Sequence, residues 1–304
     1  MKILLIVNPI SGSRGIAMKE AEALRKILEE SGNSVEMFKT QKRGDALQRT
    51  QESDANEFSA VCVVGGDGTL NEVINGVAEK RIPIVPVPVG LSNVLAKEVG
   101  ASCEPTKIAE SLKAKNIIKI DLFEVEFLDK DTKKKRFFAA MAGVGFDADV
   151  VSRITSSRKR NLGFAGYVPS IAKSMLSRSR MFSIIADGRI VSNKATYLVV
   201  GNVPYYGGPF YITTEASPTS GYMDVVYGEG LSSFSIIKFY AGVLLGTHLR
   251  HRRVRYIRCK RLELMPQKEE ETPPLHIDGE AVGTIPVSVR VIPKGLSLIV
   301  PKRT

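Results

Sequence analysis

In the first hundred residues the apolar and polar positions fall into a repeating two-part rhythm. The apolar runs Ile3–Val7, Ala60–Val64 and Ile84–Val87, with the mixed segment Ser34–Lys39, predict strands. Between them, apolar residues at three- and four-residue spacing predict helices over Ile16–Ser31, ended by Gly32, and over Asp45–Glu52, Leu70–Glu79 and Ser92–Val99. Continuous apolar runs suit strands buried on both faces, and strict strand–helix alternation with short loops predicts a parallel, Rossmann-like α/β sheet.

From about Ile117 the rhythm changes. Short strands are predicted at Val125–Leu128, Phe137–Ala142, Phe182–Ala186, Ala195–Val200, Met223–Tyr227, Val254–Ile257, Leu262–Met265 and Val287–Ile292, separated by Gly, Pro and charge clusters. Two helices interrupt them, Phe164–Leu176 and Ser232–Leu245. The pattern is that of an antiparallel β-rich domain. We therefore expect an α/β domain over residues 1–123, a β-rich domain over 124–293, and a last strand, Leu296–Val300, returning within about 294–304 to the first domain.

Composition narrows the class. Of 304 residues 43% are apolar and 25% charged, which excludes a disordered or fibrous chain. The longest apolar candidate, Ile236–Leu245, is too short to span a bilayer and carries Lys238. The apolar N-terminus breaks at Asn8-Pro9 and reads as a buried strand rather than a signal peptide. Three scattered cysteines, Cys62, Cys103 and Cys259, lack metal-ligand spacing and point to a reduced, cytoplasmic compartment. Charge is uneven: residues 1–123 hold 16 Lys and Arg against 16 Asp and Glu, so the whole net charge of +11 lies in residues 124–304. Such an excess suits a polyanionic partner, nucleic acid or an anionic membrane, or else a merely solubilising surface. The densest stretch, His248–Arg261, places Arg253, Arg255 and Ile257 on one face of a strand and Val254 and Tyr256 on the other. Without stacking aromatics beyond Tyr256, or any helix-turn-helix, RNA-binding or zinc motif, nucleic acid is disfavoured.

Two loops carry candidate chemistry. Val63–Leu70 leaves a buried strand, passes three glycines and enters a helix, where backbone N–H groups attract phosphate. Asp67 among those glycines would meet a bound triphosphate through Mg²⁺, or else would simply cap the helix. Asn8–Gly15 occupies the equivalent place after the first strand; it lacks Gly-Lys-Ser/Thr and the dinucleotide glycine pattern, so it is not a P-loop. Gly143–Asp149 reads as a tight turn, and Asp278-Gly279 as a hairpin turn pair. His276, two residues before Asp278, reads as structural rather than catalytic.

Asn8-Pro-x-Ser-Gly12, Gly65-Gly-Asp-Gly-Thr69, Gly143-x-Gly-Phe-Asp147 and Ile277-Asp-Gly-Glu280, in this order and spacing, resemble the diacylglycerol kinase catalytic family, which includes bacterial lipid kinases, sphingosine kinases and ceramide kinases. The resemblance implies an ATP- and Mg²⁺-dependent kinase of lipid hydroxyls, active in phospholipid metabolism. It also implies an N-terminal nucleotide-binding domain, a C-terminal antiparallel β-sandwich and an active site in the cleft between them. Carried over by position, it places ATP against Asn8, Pro9, Ile10, Ser11, Gly12, Thr40, Gly65, Gly66, Asp67, Gly68, Thr69, Leu70, Asn71 and Glu280, with Asp67 facing the metal that accompanies ATP. Asp278 falls at the general base, and Asp121 matches a supporting carboxylate. The substrate expected is diacylglycerol or a related lipid such as a sphingoid base, met at an anionic surface by peripheral association with the inner membrane face; a homodimer is left open.

The chain departs from the family pattern at two places. Gly90-Leu-Ser-Asn-Val94 replaces the Gly-Thr-x-Asn-Asp of many bacterial members, and its continuation is similar to that of sphingosine and ceramide kinases. Ser220 stands where several members carry an Asp for a structural Mg²⁺. The alternatives are an NAD kinase, which shares Gly-Gly-Asp-Gly-Thr, and a non-catalytic lipid- or nucleotide-binding regulator, for which Asp67, Asp278 and Glu280 would serve no purpose.

Overall fold

The computed structural model describes residues 1–13, 15–129, 132–153, 168–175, 180–207, 210–268 and 272–302. It divides into two compact units, residues 1–120 with 294–304, and residues 121–293.

In the first unit the elements run β1 (Lys2–Val7), α1 (Ile16–Glu30), β2 (Ser34–Lys39), α2 (Asp45–Gln51), β3 (Ala60–Gly65), α3 (Asp67–Val77), β4 (Ile84–Pro88), α4 (Val94–Glu98) and α5 (Pro105–Lys113). The strands pair in parallel in the order β2-β1-β3-β4, and Leu298 near the C-terminus pairs in parallel with Ile84. Helix α1 buries Ala17, Ala21, Leu24 and Leu28 against the sheet, a stripe at the helical repeat. It ends where the Asn33 N–H reaches the Leu28 carbonyl and left-handed Gly32 that of Glu29, a Schellman closure. Helix α5 is an addition to the expected elements; Pro105 starts it, its fixed φ suiting a first helical turn.

The second unit is β-rich. After the hairpin of β5 (Ile117–Asp129) and β6 (Thr132–Phe138) come β7 (Met141–Gly145), α6 (Phe146–Arg153), α7 (Val168–Met175), β8 (Phe182–Ala186), β9 (Arg189–Gly201), β10 (Tyr205–Gly207), β11 (Phe210–Tyr211) and β12 (Met223–Glu229). There follow α8 (Ser233–Leu244), a 3₁₀ turn (His248–Arg250), β13 (Val254–Cys259), β14 (Arg261–Pro266), β15 (Pro274–Ile277) and β16 (Glu280–Ile299), whose last residues belong to the first unit. Antiparallel pairings run in a closed circuit, β9-β7-β15-β16-β14-β8 and back to β9, with β7 on the second half of β9 and β8 on its first; β12 and β13 extend from β9. Phe123, Phe138, Phe182, Leu198 and Leu262 lie within its main core. A second cluster forms where Ile236, Phe239 and Val243 of α8 pack on Tyr197, Val199 and Val226.

Three expectations for this unit need correction. The strand expected at Phe137–Ala142 is broken at Ala139–Ala140, because buried Asn202 donates its side-chain amide to the Asp121 (2.9 Å) and Ala139 (2.8 Å) carbonyls and its backbone N–H to Ala140 (2.9 Å). Gly143–Asp149 is not a simple turn but the end of β7 and the start of α6, with Gly145 at φ 92° making the change of direction. The two last strands, Val287–Ile292 and Leu296–Val300, are parts of one strand, β16, that continues through Pro293 and left-handed Lys294. Of the helix expected at Phe164–Leu176, residues 164–167 and 176 lie outside the described residues, and α7 occupies the rest.

Candidate active site

In a parallel sheet ordered β2-β1-β3-β4 the connections diverge between β1 and β3, so the loops leaving their carboxyl ends part there and open a crevice. Both glycine-rich loops lie at that position. Asn8 joins them: its Nδ2 donates to Thr69 Oγ1 at 3.0 Å and its backbone N–H to the Val64 carbonyl at 3.0 Å. Thr40, at the end of β2, hydrogen-bonds through its N–H to the Val7 carbonyl (2.9 Å). Gly12 adopts φ 73° and packs so closely on the next loop that a Cβ there would stand 2.1 Å from the Val89 carbonyl oxygen. Pro9 and Ser11 are half-buried and Ile10 is exposed.

Gly66 caps α3 in an extended conformation and, being a glycine, supplies no side-chain cap of its own. The first-turn N–H groups of a helix lack acceptors within the helix, so this terminus suits an anion. Gly66 also packs on Gly90, where a Cβ would lie 2.6 Å from the Gly66 Cα. Leu70 and Asn71 are buried in α3, Leu70 against the pocket beside Gly66 and Asp67, whereas Gly68 stays partly accessible. Gly65, Gly66, Asp67, Leu70, Asn93 and Ala96 line a narrow, partly open pocket between these loops.

Asp67 does something that its place among glycines does not announce. Its carboxylate accepts the backbone N–H groups of Asn93 (2.9 Å) and Val94 (2.7 Å), fastening the start of α4 to the start of α3. Asn93 holds a left-handed φ of 49°, and its side chain both accepts from the Gly90 N–H and donates to the Gly90 carbonyl. The segment Gly90–Val94, which departs from the bacterial pattern, is thus the partner of Asp67.

The residues carried over to the second unit lie around the β15–β16 hairpin. Asp278 and Gly279 form its two-residue turn, both at positive φ (46° and 79°), as a type I′ turn requires. Asp278 additionally grips β7: its N–H donates to the Met141 carbonyl (2.8 Å) and its Oδ1 accepts the Met141 N–H (2.9 Å). Glu280 pairs with Arg136 at 3.4 Å. Asp121, buried, accepts the Gly221 N–H (2.6 Å), while Ser220 Oγ bonds to the Tyr222 carbonyl and N–H, so direct hydrogen bonds clasp the loop that carries Ser220.

A buried polar cluster next to Asp278 is a feature the sequence reading missed. His276 Nε2 lies 2.8 Å from Asp147 Oδ2 and against the Tyr206 hydroxyl, and the Tyr240 hydroxyl donates to Asp147 Oδ1 at 2.6 Å. Burial, with the Asp147 charge beside it, pushes the Tyr240 hydroxyl well above the ordinary tyrosine range, so it remains a donor. Gly143 makes room, since a Cβ there would stand 2.4 Å from both His276 and Asp147. The coincidence of Gly143-x-Gly-Phe-Asp147 with a lone His before Asp278 was the available signal. Burial raises the Cys62 and Cys259 thiols to about 12, which removes both as nucleophiles.

Residues 2–125 match the diacylglycerol kinase catalytic domain, and residues 140–300 the YegS C-terminal NAD kinase beta sandwich-like domain. The chain belongs to the diacylglycerol kinase catalytic family. It is accordingly a lipid kinase. Similar proteins include diacylglycerol kinases of Staphylococcus carnosus, 25% identical over 98% of this chain and 94% of the relative, and of Bacillus subtilis, 25% identical over 98% and 96%. Among solved structures, a Bacillus anthracis diacylglycerol kinase has a TM-score of 0.71 at 21% identity, covering 98% of this chain and 96% of that one. Yeast NADH kinase complexed with NADH shares the fold at a TM-score of 0.60 and 11% identity, covering 100% and 84%. No helix among the described residues is long and apolar enough to cross a membrane.

Proposed function

We propose that this lipid kinase transfers the γ-phosphoryl group of ATP to a hydroxyl of diacylglycerol or a related lipid alcohol such as a sphingoid base, in phospholipid metabolism at the inner membrane face. The observation that carries the nucleotide half is the convergence of Asn8–Gly12, Gly65–Thr69 and Gly90–Asn93 around a helix N-terminus capped by a glycine. Backbone N–H groups and the α3 dipole would hold the phosphates, Gly66 would let them approach the main chain, and Gly12 lets its loop pack on Val89. Leu70 and Asn71 of the same helix, with Pro9 and Thr40, would complete the surroundings of the nucleotide.

Phosphoryl transfer needs the acceptor hydroxyl aligned and its proton removed. We assign proton acceptance to Asp278, whose carboxylate the Met141 N–H orients, and nucleotide contact to Glu280, which Arg136 positions. Among the described residues no group of three or more His, Cys, Asp or Glu forms a metal cage. Mg²⁺ favours substrate phosphates plus one or two carboxylates, so it would arrive with ATP, while both oxygens of Asp67 already accept main-chain N–H groups of Asn93 and Val94. When bound, Mg²⁺ would supply neutralisation of phosphate charge. Incubation with ATP carrying a radioactive γ-phosphate, a panel of lipid alcohols, and NAD tests the reading: label in lipid supports it, label in NAD alone replaces it with an NAD kinase, and label in neither leaves a binding protein.

A further inference from the structure

Helix α8 (Ser233–Leu244) is apolar on two opposite faces, and only one of them is covered. Ile236, Phe239 and Val243 point into the second core of the β-rich unit. At the complementary positions Phe234 is 63% exposed, Leu244 58% and Leu245, just past the helix, 77%, with Ile237 between them and Leu249 beyond also exposed. The spacing from Phe234 through Ile237 and Ala241 to Leu244 is a second helical stripe, facing water. Single exposed leucines are ordinary on protein surfaces, whereas a contiguous stripe marks a surface that meets something apolar.

The segment that carries the stripe has charge of one sign. From Leu231 to Leu262 the chain contains no Asp or Glu, while it contains Lys238, Arg250, Arg252, Arg253, Arg255, Arg258, Lys260 and Arg261. Lys238 sits within the stripe, its ammonium 4.9 Å from the Phe234 ring. The Arg253 guanidinium reaches back to the Gly230 carbonyl (3.1 Å), which places it beside the start of α8. Among the described residues Arg250, Arg252, Arg253 and Arg255 form no ion pair with a carboxylate.

We infer that the outward face of α8 and the arginine-rich turn after it form a docking surface for an anionic phospholipid bilayer, with α8 lying in the plane of the interface. Apolar side chains entering the acyl boundary, ringed by cations at the depth of the phosphates, are what such a surface requires. A second copy of this chain fits less well, because a symmetric contact would set the same arginines against each other. The inference rests on the lipid-kinase reading for its purpose alone, the delivery of a substrate that stays in the membrane.

The chain has no tryptophan, so Leu245→Trp creates a single reporter, and Ile190→Trp, 65% exposed on β9, is its control. With phosphatidylcholine vesicles containing phosphatidylglycerol, the Leu245→Trp emission should shift to the blue and be quenched by brominated lipid, while the control and pure phosphatidylcholine show neither. In sedimentation with the same vesicles, the joint substitution Leu244→Ser/Leu245→Ser should weaken binding at least tenfold. Arg250→Gln/Arg252→Gln/Arg253→Gln should weaken it by about a hundredfold at low salt, given the usual contribution of each cation near an anionic surface. Both variants should keep wild-type turnover on a short-chain, water-soluble lipid alcohol. Vesicle binding unchanged in both variants, or an unshifted Leu245→Trp on vesicles that bind the protein, overturns the inference. So does a wild-type dimer that the serine pair dissociates without loss of vesicle binding, which would assign the stripe to a second copy. Wild-type protein that binds vesicles through this face yet phosphorylates no lipid would leave the docking surface standing and refute the kinase reading instead.

Discussion

Replacing Asp67 by asparagine separates two roles that its position among glycines allows, a strut between loops and a ligand to the metal that accompanies ATP. The carboxylate accepts two backbone N–H groups, from Asn93 and Val94, one on each oxygen. Asparagine has the same shape but a single acceptor oxygen, so its amide would turn an N–H group toward one of those donors. One charge-assisted hydrogen bond is lost, a cost of about 1.5–3 kcal/mol. At roughly 2–4 °C per kcal/mol for a chain of this size, the unfolding midpoint of the α/β unit should fall by about 3–12 °C. Calorimetric unfolding read beside ATP titration at several Mg²⁺ concentrations gives both quantities on one preparation. The strut predicts a lowered midpoint, weaker ATP binding as the Gly66–Gly90 contact loosens, and an Mg²⁺ requirement changed by less than about twofold. An unchanged midpoint with an Mg²⁺ requirement raised about tenfold or more would refute the strut and make Asp67 a metal ligand.

Gly12→Ala must carry a methyl group into the Val89 carbonyl at a left-handed φ, so it should lose both stability, by more than the ~1–2 kcal/mol of the backbone conformation alone, and ATP affinity. Gly66→Ala, whose methyl group meets nothing closer than the Gly90 Cα at 3.4 Å, should keep the midpoint and lose ATP affinity only, as calorimetric titration of both variants would show. Tyr240→Phe removes a hydrogen bond from buried Asp147 and should cost about 1–3 kcal/mol in urea unfolding. His248 is buried, and burial holds its protonation below the ordinary histidine range, the Ile212 carbonyl opposing in part. The unfolded chain therefore binds a proton that the native protein resists, so stability should fall as pH drops below about 6.5. In thermal melts across that range, His248→Asn should show a shallower decline than the wild type.

How much of this was legible in sequence depended on burial. Strands of the α/β unit are covered on both faces, so Ile3–Val7 and Ala60–Val64 stand out as unbroken apolar runs, and their loops carry the motifs. In the β-rich unit the same reasoning reached the right class while missing details fixed by distant residues. Asn202 breaks a strand more than sixty positions earlier in the chain, and Lys294 keeps β16 going where Pro293 suggests an end. Of the site, the glycines and Asp278 were visible because turn chemistry is local. The attachment of Asp67 to Asn93, the His276–Asp147–Tyr240 cluster and the bare stripe on α8 join or expose residues whose relation exists only in the folded chain. Periodicity marks α8 as a helix, but both of its faces are apolar, and no pattern says which one the core covers.

The central claim is that this chain moves a phosphoryl group onto a lipid hydroxyl with Asp278 accepting the proton, and Asp278→Asn tests it most directly. The substitution keeps an oxygen for the Met141 N–H while removing the basicity. Measured with ATP carrying a radioactive γ-phosphate and diacylglycerol in mixed micelles, turnover should fall by roughly 10²- to 10⁴-fold while ATP affinity stays within about twofold of wild type. Turnover within a few-fold of wild type, or an equal loss of ATP affinity, would contradict the assignment.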